Sequence, residues 1–256
     1  MKYKALFLDI DGTLVPYDYN ALPSDKVARA VKKAQEKVTV CLVTGRGFGF
    51  VEHVLKKLDI SSGFAVLNTG AVVIDIATKE VIYEQPLDKQ DAEEIVSVLH
   101  KEHIKFYLKK DIHGNAYQEG HFPPDQSFEK AYMIFTDENY SEEKIDTVSK
   151  KLSLLSQINI HKSVHKDPDK FGMIIGHVNA TKLHGVHVLL EKLHLNKEEV
   201  IGVGDSYNDF PLLMASGLKV AMGNAIDDLK AIADYIAPSV EDDGVADVIE
   251  KFIYTR

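Results

Sequence analysis

Two aspartates stand two positions apart near the start of the chain, in the run Leu8-Asp9-Ile10-Asp11-Gly12-Thr13-Leu14. The segment Ala5–Ile10 is almost continuously apolar, which predicts a buried strand. Side chains two residues apart on a strand point to the same side, and open α/β sheets bind ligands at the carboxyl ends of their strands. Two neighbouring carboxylates are costly unless a cation neutralises them or one of them holds a proton. Taken alone, the motif is equally compatible with a metal-free turn built on Asp and Gly.

The ends of two other predicted strands carry complementary groups. The strand Thr39–Val43 is followed by a hydroxyl, free backbone amides and a guanidinium at a helix amino terminus, in the run Thr44-Gly45-Arg46. Such a helix terminus is suited to binding an anion. The strand Val200–Val203 is followed by an acidic, oxygen-rich loop, Gly204–Asp209, that suits a hard cation. Lys182 begins a predicted helix and can bring a positive charge to the same edge of the sheet.

These groups need a scaffold that brings strand ends together, and the order of the predicted elements provides one. Short apolar runs, including Phe64–Leu67, alternate with amphipathic helices such as the one that Ser24 caps and that ends at Lys37. A second such helix is predicted over Phe50–Leu58. This alternation predicts a doubly wound α/β domain with a parallel sheet. Residues 1–82 and 176–256 carry the pattern, so we expect them to form one core domain.

Residues 83–175 show a different pattern and are predicted to form an α+β domain inserted into the core. Helices are predicted over Asp91–His103 and Ser141–Leu154, and a strand over Lys130–Phe135. The segment His113–Gln126, with its Gly-Asn, Glu-Gly and Pro-Pro pairs, is predicted to be a long loop. Because every polar group named above lies outside the insertion, we expect the insertion to select the substrate and not to perform the chemistry.

Histidines are frequent in two parts of the chain. The helix predicted over Thr181–Leu195 has a polar face formed by His184, His187, Glu191 and His194. The opposite side is an apolar stripe that we predict to be buried, formed by Leu183, Val186, Leu190 and Leu193. We interpret the polar face as solvated, because adjacent turns of one helix supply only two or three metal ligands. The histidines of the insertion are predicted to lie at the surface, where a closing domain could bring them to a substrate; they are His113, His121, His161 and His165.

The composition limits the classes of partner. The 256 residues carry a formal net charge of −9, which argues against nucleic acid and against an anionic membrane surface as partners. No apolar run approaches the roughly 18–20 residues of a membrane span. Cys41 is the only cysteine, so an intrachain disulfide is impossible, and its apolar neighbours predict a small core residue. We therefore expect a cytoplasmic protein, a monomer or small homo-oligomer, that takes a small-molecule ligand.

Taken together, the motifs resemble those of the haloacid-dehalogenase (HAD) superfamily, and specifically of its Cof-type, sugar-phosphatase-like branch. The matching motifs, in the order and spacing of that family, are Asp9-x-Asp11-Gly12-Thr13, Thr44-Gly45-Arg46, Lys182 and Gly204-Asp205-Ser206-x-Asn208-Asp209. The run Asn68-Thr69-Gly70-Ala71 is similar to the family's Asn-Gly-Ala turn, with Thr69 inserted. The resemblance implies a HAD-like Rossmannoid core, and the insertion resembles the large α+β cap domain of the branch.

The resemblance also implies an activity and a set of site residues. It implies a Mg²⁺-dependent phosphatase in which Asp9 attacks phosphorus and Asp11 acts as general acid and then as general base. Lys182 would restrain Asp9 and, together with Thr44, hold the transferring phosphoryl group. The implied metal site is formed by Asp9, Asp11, Asp205 and Asp209. Asp11 contributes its backbone carbonyl, and the other three contribute their carboxylates. The other implied phosphate- or substrate-binding positions are Thr13, Gly45, Arg46, Asn68 and Asn208.

One departure from the family pattern concerns the lysine. A glycine commonly follows it in the family, whereas here Leu183 and His184 stand between Lys182 and Gly185. The placement of Lys182 therefore needs a structural explanation.

The predicted substrate is a small phosphorylated metabolite, such as a sugar phosphate. A phosphomutase on the same scaffold is an alternative, and it would have to exclude water from the aspartyl phosphate. A non-catalytic phosphate-binding regulator is another. Loss of the nucleophile, the acid or a metal ligand would be expected of such a regulator, and Asp9, Asp11 and Asp205 are all present.

Overall fold

The computed structural model of the chain describes residues 2–113, 116–118, 128–163 and 169–254. The chain divides into two compact units, which we call the core unit and the inserted unit. The core unit comprises Met1–Tyr83 and Thr181–Arg256, and the inserted unit comprises Glu84–Ala180. The insertion predicted at 83–175 therefore begins one residue later, at 84, and ends five residues later, at 180.

The elements of the described residues are numbered along the chain. The strands are β1 (Ala5–Leu8), β2 (Thr39–Val43), β3 (Phe64–Leu67), β4 (Val72–Asp75), β5 (Val81–Glu84), β6 (Phe106–Lys109), β7 (Ala116–Gln118), β8 (Met133–Thr136), β9 (Ile158–Ser163), β10 (Gly172–His177), β11 (Val200–Gly204), β12 (Leu218–Ala221) and β13 (Tyr235–Ile236). The α-helices are α1 (Asp25–Ala34), α2 (Glu52–Leu58), α3 (Lys89–Lys101), α4 (Glu142–Leu152), α5 (Lys182–Leu193), α6 (Phe210–Met214), α7 (Asp227–Ile232) and α8 (Gly244–Ile249). A π-helical segment, Glu250–Tyr254, follows α8.

A single sheet organises the core unit, with the strand order β13-β12-β11-β1-β2-β3-β4-β5. The strands from β13 to β3 pair in parallel, and β4 pairs with β3 in the antiparallel sense. The sheet is thus mixed, with a parallel centre. In the register of the central strands, Leu8 pairs with Val203 on one side and with Leu42 on the other. This register places the residues after β1, β2 and β11 at one edge, as the sequence predicted.

The helices of the core unit follow from local signals in the sequence. Ser24 caps α1 by accepting a hydrogen bond from the backbone N–H of Val27. Helix α1 contacts α2 and α8, while α5 contacts α6 and the strands β2 and β3. Cys41, at the centre of β2, is fully buried, and burial raises the pKa of its thiol to about 12. This agrees with the prediction of a core residue.

The inserted unit is an α+β arrangement with its own antiparallel sheet, in the order β7-β6-β8-β10-β9. Helices α3 and α4 contact each other, and their apolar residues form one cluster with residues of the sheet such as Phe106, Ile134 and Ile175. Strand β10 belongs to this sheet, which explains why the unit extends beyond residue 175. One prediction was wrong in part, because Ala116–Gln118 of the predicted loop pairs with β6 as strand β7; residues 114–115 and 119–126 of that loop lie outside the described residues.

Among the described residues, no helix is both long enough and apolar enough to cross a bilayer.

Candidate active site

The turn after β1 carries Asp9 and Asp11 and closes on itself. The carbonyl of Ile10 accepts hydrogen bonds from the backbone N–H groups of Leu14 and Val15, and Gly12 donates to the Val15 carbonyl. Gly12 has a φ of 74°, and a Cβ at this position would lie 2.1 Å from Oδ2 of Asp205. Position 12 therefore requires glycine both for its backbone conformation and for the close approach of Asp205.

Three buried carboxylates form the centre of the site. One carboxylate oxygen from each of Asp9, Asp205 and Asp209 lies within 4.8 Å of the others. The Nζ atom of Lys182 lies 2.5 Å from Oδ1 of Asp9 and 2.5 Å from Oδ1 of Asp209. The side chains of Lys182 and Asp209 are fully buried and that of Asp9 is 6% exposed. The carboxyl ends of two strands and the start of α5 thus meet in one charged cluster, which we call the acidic cluster.

The acidic cluster is short of positive charge, and its pKa values reflect this. Burial, together with the Asp209 carboxylate, raises the pKa of Asp205 to about 7. Burial and the same carboxylate raise the pKa of Asp9 well above its ordinary value of 3.8, although Lys182 acts in the opposite direction. Burial lowers the pKa of Lys182, but the carboxylates of Asp209 and Asp9 outweigh it and leave that pKa above its ordinary value. Three carboxylates beside one ammonium favour binding of a divalent cation.

Asp209 holds the loop after β11 in place while it contacts the lysine. Its Oδ2 accepts hydrogen bonds from the backbone N–H groups of Asp205 and Ser206, at 3.0 Å each. Its Oδ1 is the atom that faces Lys182. Asn208 is partly exposed, and in the described residues no hydrogen bond joins it to Lys182. Its role in binding phosphate or substrate stays a prediction. The side chains that contact the lysine are those of Asp9 and Asp209.

The departure after the lysine is explained by the packing of α5. Lys182 is the first residue of this helix, and Thr181 caps it by accepting from the backbone N–H of His184. A Cβ on Gly185 would lie 2.4 Å from Cγ1 of Val66 in β3. The glycine therefore stands where α5 crosses β3, three residues after the lysine, and Leu183 is accommodated on the partly exposed side.

Arg46 contacts the second aspartate of the first motif. Its Nη2 and Nε donate to Oδ1 and Oδ2 of Asp11 at 2.6 and 3.0 Å. Its remaining N–H groups donate to the carbonyls of Asp18, Tyr19 and Phe50. All five N–H groups of this buried guanidinium are therefore engaged within the protein. The substrate contact predicted for Arg46 stays a prediction, and it would require some of these bonds to break.

The loops after β2 and β3 lie side by side. The backbone N–H of Asn68 donates to the carbonyl of Arg46, and that of Thr69 donates to the carbonyl of Thr44. Gly45 lies between Thr44 and Arg46 in the sequence. Thr44 is fully buried, and its hydroxyl accepts from the backbone N–H of Arg46. Asn68 is 1% exposed, and within the described residues neither polar atom of its side chain has a hydrogen-bond partner. A buried amide without partners is costly, so Asn68 retains its predicted role as a substrate-binding candidate.

Two hydroxyl groups hold Asp205. Thr13 donates to Oδ1 at 3.2 Å, and Tyr17 donates to Oδ2 at 2.5 Å. The phosphate contact predicted for Thr13 stays a prediction, since its hydroxyl is directed to this carboxylate. Sequence reasoning missed Tyr17 altogether, because a tyrosine in a turn of irregular structure, 188 residues before its partner, carries no local signal.

The histidines do not add a second metal site in the part of the chain that the structure describes, where the only group of potential ligands is the acidic cluster. His187 of α5 and His194, which follows the helix, are exposed, and His184 contacts the capping residue Thr181. In the inserted unit, His161 was predicted to be a surface residue, but it is partly buried, and this burial lowers its pKa. His121 and His165 lie outside the described residues.

Comparison with known proteins identifies the family of the chain. A profile for haloacid dehalogenase-like hydrolases matches residues 6–249. The chain is 28% identical over 254 residues to the 5-amino-6-(5-phospho-D-ribitylamino)uracil phosphatase of Bacillus subtilis, covering 98% of this chain and 96% of that protein. It is 26% identical over 251 residues to phosphoglycolate phosphatase 1 of Saccharolobus solfataricus, covering 98% and 96%.

A solved structure shares the fold along the whole chain. A haloacid dehalogenase-like hydrolase from Bacillus subtilis superposes with a TM-score of 0.82 at 22% identity, covering 97% of this chain and 99% of its own. This likeness and the family match confirm the fold predicted from the motifs, an α/β core with an inserted α+β unit. The chain belongs to the haloacid dehalogenase-like hydrolase family, in its Cof-type branch, and is a phosphatase.

Proposed function

We propose that the protein is a Mg²⁺-dependent phosphatase of a small phosphorylated metabolite, with sugar phosphates as the first candidates, and that it forms an aspartyl phosphate on Asp9. The observation that carries this proposal is the buried contact of 2.5 Å between the Lys182 ammonium and Asp9, within a cluster of three carboxylates. A carboxylate so restrained is oriented for attack, and the ammonium beside it can stabilise the charge of a transferring phosphoryl group.

Asp9 supplies the nucleophilic oxygen in this proposal. Its backbone N–H donates to the Val203 carbonyl, and Lys182 holds Oδ1, so both ends of the residue are fixed. A bond forms between a carboxylate oxygen and phosphorus as the ester bond from phosphorus to the leaving oxygen breaks. Thr44, whose hydroxyl accepts from Arg46, can donate its own hydrogen to a phosphoryl oxygen.

Asp11 moves the proton. In the first step it gives a proton to the leaving oxygen, and in the second it takes one from the water that attacks the aspartyl phosphate. That attack breaks the bond between phosphorus and Asp9 and releases inorganic phosphate. The two-point contact with Arg46 fixes the plane of the Asp11 carboxyl group. The Asp11 side chain is 27% exposed, so it remains accessible to a substrate.

The residues fit a magnesium ion. Asp9 and Asp205 would offer carboxylate oxygens, Asp11 its backbone carbonyl, and Asp209 would orient bound water, which together form the oxygen-only donor set that Mg²⁺ prefers. Burial and the Asp209 carboxylate raise the pKa values of Asp9 and Asp205, and a divalent cation would stabilise the ionised form of both groups. When bound, the ion would neutralise charge on the phosphoryl oxygens and on the attacking carboxylate.

We assign substrate selection to a different part of the chain from the chemistry. The two relatives are named for different substrates, a phosphoribityl-substituted uracil and phosphoglycolate, so similarity alone does not choose one. All residues proposed for the chemistry belong to the core unit. We therefore propose that the inserted unit selects among phosphate esters.

The test is a screen of the purified chain against phosphorylated metabolites with Mg²⁺, in which phosphate release is measured, together with Asp9→Asn. The amide is nearly isosteric, but it is a poor nucleophile and removes a charge from the cation site. We expect Asp9→Asn to lower turnover by at least about a thousandfold with the fold retained in circular dichroism. Asp227→Asn, on the exposed side of α7, is the control and should keep full activity.

Retention of a tenth of the wild-type rate by folded Asp9→Asn would exclude the covalent mechanism. Full activity after the metal has been stripped and with excess chelator present would exclude the magnesium requirement. A complete absence of phosphate release across sugar, polyol, carboxylic-acid and nucleoside phosphates would exclude the proposed activity.

A further inference from the structure

Tyr17 lies at the site without belonging to any of the four motifs. Its hydroxyl is 2.5 Å from Oδ2 of Asp205, while Thr13 donates to Oδ1 of the same carboxylate. Both donors belong to the segment that follows Asp9 and Asp11. Two donors on different oxygens hold the plane of the carboxylate, so this segment orients a carboxylate that β11 delivers from far along the chain.

The exposure of the two donors differs, and this separates their roles. Thr13 is 1% exposed and lies inside the turn, whereas Tyr17 as a whole residue is 49% exposed. Although the residue is half exposed, its hydroxyl reaches the buried carboxylate of Asp205 and also interacts with the side chain of Ser206, the next residue of the same loop. Pro16 precedes it, and its fixed φ restricts the backbone that carries the ring.

We infer that Tyr17 is a positioning residue that makes the cation site selective for Mg²⁺ over Ca²⁺, an inference that rests on the proposed function. Mg²⁺ demands near-ideal octahedral geometry and takes one oxygen from each carboxylate, whereas Ca²⁺ readily accepts both oxygens of one carboxylate. The Tyr17 hydroxyl opposes the rotation of Asp205 that would allow both of its oxygens to chelate one ion. Its removal loosens the carboxylate, which weakens Mg²⁺ binding and relaxes the discrimination against Ca²⁺.

The test is calorimetric titration of the metal-free, full-length chain with MgCl₂ and separately with CaCl₂, in the wild type and in Tyr17→Phe. The variant keeps the ring and removes only the hydroxyl. We expect its Kd for Mg²⁺ to rise about tenfold and its Kd for Ca²⁺ to change less. The Kd for Ca²⁺ divided by the Kd for Mg²⁺, which measures the preference for Mg²⁺, should therefore fall. With Mg²⁺ saturating, kcat should stay within about threefold of wild type, since Tyr17 does not touch the reacting atoms.

A matched control is available in the same unit. The hydroxyl of Tyr235 donates to Oδ2 of Asp247 at 2.6 Å, a contact of the same chemistry that involves no residue of the acidic cluster. Tyr235→Phe should leave both metal affinities unchanged, so it accounts for the general effect of losing a tyrosine-to-aspartate hydrogen bond.

Unchanged affinities for both ions in Tyr17→Phe, or an equal loss for both, would overturn the inference. A wild-type chain that does not bind Mg²⁺ would overturn it together with the magnesium dependence. If the expected pattern appears but the chain hydrolyses no phosphomonoester, the role of Tyr17 stands and the proposed function fails.

Discussion

At the scale of single residues, Arg46 connects the second strand end to the general acid. Two of its N–H groups face the carboxylate of Asp11 and the other three bind backbone carbonyls. A planar fork of five donors makes this arrangement possible, and the ammonium of a lysine cannot reproduce it. The charge of the residue is therefore less important than its shape, which leads to a test that retains the charge.

We predict that Arg46→Lys lowers kcat by roughly 10- to 100-fold, because Asp11 loses its fixed orientation. The loss should be larger for an alkyl phosphate, whose leaving oxygen needs a proton, than for p-nitrophenyl phosphate, whose leaving group departs as a stable anion. Steady-state kinetics on both esters measure it. Arg29→Lys, at an exposed position of α1, is the control. Equal losses on the two esters would contradict a role in positioning the acid.

The charge of the acidic cluster makes a prediction about pH. The pKa of Asp205 is about 7 in the metal-free protein, so a cation must displace a proton from the cluster below that pH. We expect the affinity for Mg²⁺ to rise as the pH rises through about 7 and to level off above it. Calorimetric titrations between pH 5.5 and 8.5 test this, and an affinity that is flat across this range would contradict it.

The same shift has a consequence for stability. A carboxylic acid whose pKa is raised on folding binds more protons in the folded state than in the unfolded state. The contribution of Asp205 to stability is therefore fully present below its ordinary pKa of 3.8 and is lost as the pH rises towards about 7. The free energy of unfolding of the metal-free chain should therefore receive a contribution from Asp205 that declines over this range. Saturating Mg²⁺ should reverse the decline.

The residues of the motifs could be predicted from the sequence because they follow strands with strong apolar patterns. Asp9, Lys182, Asp205 and Asp209 are brought together by the in-register pairing of buried parallel strands, and such strands are the clearest signal in a single sequence. The contact of Arg46 with Asp11 and that of Tyr17 with Asp205 were not predictable. Both depend on how side chains cross irregular loops, and no periodicity governs these loops.

At the scale of elements, α5 shows why the buried face of a helix can be misread. The sequence predicted a buried stripe of Val186 and three leucines, and Val186 is indeed buried. The leucines of that stripe are only partly buried. The buried positions of the helix are Lys182, Gly185, Val186 and Leu189. These positions have the spacing i, i+3, i+4 and i+7 of a buried face. The pattern was hidden because a lysine and a glycine occupy two of them. The lysine is buried for its ion pairs, and the glycine permits contact with β3.

We predict that Gly185→Ala displaces α5 and with it Lys182. The added Cβ would meet the Val66 side chain at 2.4 Å, and overpacking of this kind costs about 1–3 kcal/mol, against about 1 kcal/mol gained in helix propensity. We expect a modest fall in the free energy of unfolding and a larger fall in kcat. Denaturant titration and steady-state kinetics measure the two effects.

Val66→Ala provides the compensating change, because it removes the two Cγ atoms that the new Cβ would meet. Combined with Gly185→Ala it should restore much of the lost activity, although Val66→Ala alone leaves a cavity and lowers stability. Additive effects of the two substitutions would show that the contact between α5 and β3 does not set the position of Lys182.

At the scale of the whole molecule, each of the two units has its own hydrophobic core, whereas the acidic cluster belongs to the core unit alone. The inserted unit has a cluster of its own between α3, α4 and its sheet. Asp9, Lys182, Asp205 and Asp209 all belong to the core unit, on segments that precede and follow the insertion. The chain therefore leaves the core unit and returns to it before the cation site is complete, which raises the question of whether this site depends on the stability of the insertion.

We predict that it does not. Ile134→Ala removes a fully buried side chain of β8 and should lower the stability of the inserted unit by about 2–5 kcal/mol, seen as faster hydrogen exchange in peptides from residues 84–180. The Kd for Mg²⁺ should nevertheless stay within about twofold of wild type. Ile201→Ala is the matched control, because it makes the same change in β11, the strand that leads to Asp205. This control should speed exchange in the core unit and weaken Mg²⁺ binding. If Ile134→Ala weakens Mg²⁺ binding as much as Ile201→Ala, the core unit cannot hold the cation site without a stable insertion.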